Sequence, residues 1–135
     1  MTRNIAAATA ALLVLTGIYL TTAVDGAPAD AKSGKVLRHV VLFKFKDGTS
    51  PGQVQEVVDA FRSLKDKVEG IVDFEFGTDV STENKAQGFT HCFFVTFRDE
   101  KGRDAYLPHP AHKAFGALVG PRLDKVLVVD YWTEH

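Results

Sequence analysis

Three observations predict an α+β fold with one antiparallel sheet. The apolar residues change period along the chain, alternating in some stretches and recurring about every 3.6 residues in others. Helix-start residues stand at the head of the helical-period stretches and stop residues stand at their ends. One apolar strand face is also left over after the helices have been assigned. The order is β-α-β-β-α-β, the ferredoxin-like arrangement of a four-stranded antiparallel sheet with helices on one face.

The first strand is "KVLRHVVLFKFKDG", with Leu37, His39, Val41, Phe43 and Phe45 on one face and Arg38, Val40, Leu42 and Lys44 on the other. In "TSPGQVQEVVDAFRSLKDKVEG" the period becomes helical, carried by Val54, Val57, Val58, Phe61, Leu64 and Val68. Ser50 and Gln53 suit a capping box, Pro51 a first helical position, and Gly70 the position past the end. "IVDFEFGTDV" alternates again, with Val72, Phe74 and Phe76 on one face. The polar "STENKAQG" connects it to the strand "FTHCFFVTF", which reads as a hairpin with a long loop. "RDEKGRDAYLPHPAHKAFGALVG" predicts a short helical segment broken at Pro108, then a second one starting at Pro110 and stopped by Gly120 and Pro121. "DKVLVVDYW" is the last strand.

Ahead of this domain, "MTRN" carries one Arg and "IAAATAALLVLTGIYL" follows without a charge. The small-residue sites "APA" and "ADA" end at Ala29 and Ala31. That order predicts a cleaved signal peptide over residues 1–31, an exported (periplasmic or extracellular) protein and a domain over residues 32–135. The alternative is a membrane anchor formed by residues 5–24. Cleavage after Ala31 removes Arg3 from 16 basic residues and Asp25 and Asp30 from 17 acidic ones, leaving 15 of each. A neutral chain of this kind has no nucleic-acid footprint and no attraction to an anionic membrane. The single cysteine, Cys92, forms no internal disulfide, so stability must come from the core or from association.

On the uncovered sheet face the parity places Val40, Leu42, Cys92, Phe94, Leu127, Val129 and Tyr131. So many exposed apolar groups are unusual for a monomer, and a second copy packed sheet to sheet would cover them. A homodimer is therefore expected.

"LRHVVLFKFKDG", "GTDVSTENKAQGFTHCFFVTF", "YLPHPAHKAFG" and "LVVDYW" resemble the stress-responsive α/β-barrel (Dabb) domain family over essentially all of residues 35–132. The resemblance implies a dimeric α+β barrel. One characterised member is a plant cyclase that closes a polyketide ring by aldol condensation. Its key tyrosine and histidine fall on Tyr106 and His112, and two further pocket histidines fall on His39 and His91. The walls differ from that cyclase at Val57, Val58, Phe93 and Leu123.

Strand parity alone puts His39 with Val41 and Phe43, and His91 with Phe93 and Val95, on the face that packs against helices. On the second helix Ala111, Ala114, Phe115, Leu118 and Val119 form the apolar stripe, with His112 at its edge. A cavity between sheet and helices is thus expected, lined by Tyr106, His112, His39 and His91 and walled by Val41, Val57, Phe61, Phe93 and Phe115. The competing reading is that these are core histidines satisfied by backbone carbonyls.

Pro110 places His112 in the first turn of a helix, where the dipole disfavours imidazolium and favours the neutral, proton-accepting form. Such a histidine could take a proton α to a carbonyl while Tyr106 donates to the enolate oxygen. No activated nucleophile is visible, since Cys92 falls on the other face. His109 is expected to be exposed or to cap the helix. A metal site using His109 and His112 competes, but Pro110 turns His109 away and neither histidine-bearing strand carries an Asp or Glu on the cavity face. The expectation is therefore a small apolar or carbonyl-containing ligand and no cofactor, with metal or haem binding as the less favoured alternative. Two functions follow: a cyclase, lyase or isomerase using Tyr106 and His112, or a non-catalytic ligand-binding or stress-response protein.

Overall fold

The computed structural model describes residues 34–134; the expected leader over residues 1–31, its cleavage and the anchor alternative over residues 5–24 all lie outside the described residues. Within them the order is β1 (Leu37–Phe45), α1 (Pro51–Arg62), α2 (Leu64–Lys67), β2 (Ile71–Thr78), β3 (His91–Phe97), α3 (Glu100–Tyr106), α4 (Pro110–Val119), a 3-10 turn (Gly120–Arg122) and β4 (Leu123–Trp132). The strands form one sheet in the order β2-β3-β1-β4, and each neighbouring pair is antiparallel. This is the predicted ferredoxin-like arrangement.

The helices begin where the sequence places the signals. Ser50 Oγ accepts from Gln53 N at 3.3 Å while Ser50 N donates to Gln53 Oε1 at 2.9 Å, a complete capping box. The predicted single helix over this region is two, because Ser63 interrupts it and its hydroxyl donates to the Ala60 carbonyl at 2.7 Å. A side chain that bonds locally to backbone competes with helix propagation. Both pieces still bury their apolar stripe, through Val57, Val58, Phe61 and Leu64.

The core lies between the sheet and these helices. Leu37, Val41 and Phe43 from β1, Phe93, Val95 and Phe97 from β3, and Phe115 and Val119 from α4 meet α1 there. Where β2 begins, the chain passes against α3 so closely that a Cβ on Gly70 would sit 2.9 Å from the Gly102 carbonyl oxygen. Glycine is required at that crossing. At the opposite edge of the sheet the two ends of the domain lie side by side. Val36 N donates to Thr133 Oγ1 and Thr133 N to the Val36 carbonyl, both at 3.0 Å.

The register places Val40 opposite Phe94 and Val129, and Leu42 opposite Cys92 and Leu127. These residues therefore share the face that the helices do not cover. Leu127, Val129 and Tyr131 are exposed there. Strand β4 is also open on its helix side, where Val126 and Val128 keep 54% and 50% of their surface.

Candidate functional site

Chain geometry sets the polar cluster. Tyr106 is the last residue of α3, and the short turn through Leu107–His109 returns the chain into α4. Pro110 opens α4, and the His109 ring caps it by accepting from Ala111 N at 3.1 Å. The His112 ring then lies 4.2 Å from the Tyr106 ring, centroid to centroid. His39, on β1, approaches Tyr106 from the sheet at 5.8 Å in an edge-on arrangement. Phe97 closes the group at 5.2 Å from Tyr106.

The hydrogen bonds assign the tautomers. His112 Nδ1 lies 3.0 Å from the Leu107 carbonyl, which only accepts, so Nδ1 carries the proton. His39 Nδ1 lies 2.7 Å from Asp130 Oδ1 and likewise donates. Both rings therefore keep Nε2 free, bare in the neutral form. His109 is the reverse: its Nδ1 accepts from the backbone, which leaves the proton on Nε2.

Tyr106 has no exposed surface, and among the described residues its hydroxyl is the buried side-chain atom without a hydrogen-bond partner. Burial raises the phenol above its ordinary value, so it remains a proton donor. An orphan donor of this kind costs about 1–3 kcal/mol, and buried side-chain polar atoms without a partner are uncommon in folded proteins.

Asp130 escaped the sequence reading, which considered carboxylates only on the strands that bear histidines. It lies on β4 directly opposite His39, on the same face as Val126 and Val128, so cross-strand parity was the available signal. Its Oδ2 accepts from Arg103 NH1 at 3.0 Å, while Arg103 Nε and NH2 donate to Asp104 Oδ1 at 3.1 and 2.9 Å. One carboxylate is thus shared between an imidazole and a guanidinium.

Two expectations differ from this geometry. His91 does not join the cluster: it pairs opposite Phe43, four residues along β3 from Val95, the partner of His39. At the strand rise that is about 13 Å away. There it packs edge-on to Phe45 at 5.2 Å, with Thr90 Oγ1 at 2.9 Å from Nδ1, and burial lowers its pKa. The expected ligand walls also pack against one another. Phe61 lies 4.5 Å from Phe115 and 4.7 Å from Phe93, ring to ring. Val41 and Val57 are buried in the same cluster. Ten phenylalanines in a chain this short supply more hydrocarbon than the strand and helix phases alone reveal.

An open cleft of about 840 Å³ is lined by Lys67, Gly70, Arg98, Lys101 and His109, among others, and neither Tyr106 nor His112 lines it. The polar cluster, not that open cleft, is the candidate site, because it contains the buried side-chain donor that lacks a partner among the described residues. Among the described residues no three His, Cys, Asp or Glu side chains gather to hold a metal.

Residues 37–133 match the model of the stress-responsive A/B barrel domain. The chain is 42% identical over 95 residues to the stress-response A/B barrel domain-containing protein HS1 of Arabidopsis thaliana, covering 70% of this chain and 87% of that one. It is 33% identical over 95 residues to the olivetolic acid cyclase of Cannabis sativa, covering 70% and 94%. A dimeric ferredoxin-like protein of unknown function from Thermobifida fusca superposes with a TM-score of 0.64 at 28% identity, covering 75% of this chain and 93% of that one. With the match spanning the sheet, the helices and the Tyr106–His112 turn, the chain belongs to the stress-responsive A/B barrel domain family.

Proposed function

We propose that this chain is an exported homodimer that binds a small carbonyl compound and moves a proton on it. The orphaned Tyr106 hydroxyl carries this reading. A carbonyl or enolate oxygen would satisfy it, and the neighbouring His112 Nε2 would accept the proton from the adjacent carbon. A cyclase among the relatives supports this class of chemistry. The open helix-side flank of β4 offers an apolar wall, since Val126, Val128 and Trp132 share the face that carries Asp130. Tyr106 has no exposed surface, so a ligand reaches it only after the surrounding packing moves.

The apolar outer face of the sheet supports the dimer, as do dimeric relatives. The charge-free run and small-residue sites before residue 32 support export. The closed aromatic interior favours a second reading, a non-catalytic ligand-binding or stress-response protein.

Native mass spectrometry of the purified protein, with Tyr106→Phe and His112→Ala beside it, separates the two. Proton-transfer chemistry requires a retained carbonyl ligand whose conversion stops in both variants. A ligand held equally well by all three forms would sink it.

A further inference from the structure

We propose that Arg103 is a positioning residue that, through Asp130, fixes the tautomer of His39. The proposal rests on the acid–base reading of the Tyr106 cluster for its purpose, though not for its geometry. Arg103 sits one turn before Tyr106 on α3, and its guanidinium is oriented at both ends. Nε and NH2 are held by Asp104 on the same helix, which leaves NH1 directed at Asp130 Oδ2. The carboxylate torsion of an aspartate is broad and nearly two-fold, so an untethered Asp130 would sample several orientations. With Oδ2 held at 3.0 Å by Arg103, Oδ1 is left facing His39 Nδ1 at 2.7 Å. His39 is buried, with 6% of its surface exposed, so little water reaches the ring to compete for that bond. The proton is then confined to Nδ1, and Nε2 is the bare nitrogen of a ring whose centroid lies 5.8 Å from that of Tyr106.

A plain tether between α3 and β4 would need the same ion pair but would leave the imidazole free to choose its tautomer. Lysine in place of arginine would keep the charge and lose the fork, because one ammonium cannot serve Asp104 and Asp130 in the same fixed geometry.

The test is ¹⁵N NMR of the histidine ring nitrogens in the mature protein, at a pH above the imidazole range. His39 should show a protonated Nδ1 and a bare Nε2, with well-separated shifts. In Arg103→Leu that separation should collapse toward the tautomer average, and Arg103→Lys should restore part of it. Asp130→Asn keeps the shape but can either accept from or donate to Nδ1, so it should also collapse the separation. It tests the idea should Arg103→Leu fail to fold. A separation unchanged in the folded variants, or a wild-type His39 protonated on Nε2, would overturn the proposal. The acid–base reading is judged separately, by the fate of a ligand in Tyr106→Phe and His112→Ala.

Discussion

Around Phe61 the layer between sheet and helices is hydrocarbon throughout, and each ring rests on others at 4.5–5.8 Å. Around Tyr106, further along the same strands, the layer holds the buried His39, the half-buried His112 and a fully buried phenol, with a carboxylate and a guanidinium at its edge. In both regions aromatic rings lie against one another. They differ in whether every buried atom has a partner. The aromatic region is complete as it stands, and removing any part of it loses packing. The polar region contains one donor that no neighbouring atom satisfies, and it is therefore less stable than it could be. A protein that tolerates an incomplete region beside a complete one has a reason for the gap that stability does not supply.

The contrast can be broken most severely at its apolar end. Phe61→Ala should lose about 3–5 kcal/mol of unfolding free energy, read by chemical denaturation, because the stacked neighbours cannot all close the space. A loss below about 1 kcal/mol would mean that the region is not close-packed. On the far side of the sheet, Leu42→Lys should leave both regions folded but weaken a sheet-to-sheet dimer by about 3 kcal/mol, through a buried unpaired charge. Light scattering checks it, and a wild-type monomer would remove the dimer altogether.

Tyr106→Phe reverses the usual sign. Deleting the orphan hydroxyl should leave the ligand-free protein as stable as before, or more stable by about 1–2 kcal/mol. A clear fall in melting temperature would show that the hydroxyl is satisfied after all.

The smallest effect belongs to His91. Burial lowers its pKa below the ordinary 6.5, so the unfolded chain binds a proton more readily than the folded one. Its contribution to stability is full above that unfolded value and is lost as pH falls from it toward the lower folded value. A His91→Gln variant should flatten the pH dependence of stability in that window. An unchanged slope would clear His91 of any part in it.

Much of the fold was legible because its signals are local. The Ser50–Gln53 cap, the prolines at 51 and 110 and the strand alternation each act within a few residues, and each stands where it was read. Ser63 was missed because its helix-interrupting bond to Ala60 depends on a side-chain rotamer, which spacing does not encode. The site was legible only as far as parity reaches. Face assignment brought His39 to the helix side and helical phase brought His112 to Tyr106, but parity says nothing about position along a strand. That is why His91 read as a neighbour and stands at the other end. The shared Asp130 required the β1–β4 register, a pairing between residues 91 positions apart in sequence. The contact between the expected ligand walls is a matter of volume, and volume depends on how every ring packs at once.

The Val36–Thr133 pairing has a mechanical consequence. Because β1 and β4 run antiparallel and their outer ends are bonded together, a pull applied to the two ends of the domain acts across the strands rather than along them. The load falls first on the Val36–Thr133 bonds, then on Leu37–Trp132, and so inward, one rung at a time. Such a zipper yields at lower force than a ladder sheared along its length, where many rungs share the load. Stretched from its ends, the domain would shed β4, and Asp130 with it, before the aromatic interior felt any tension.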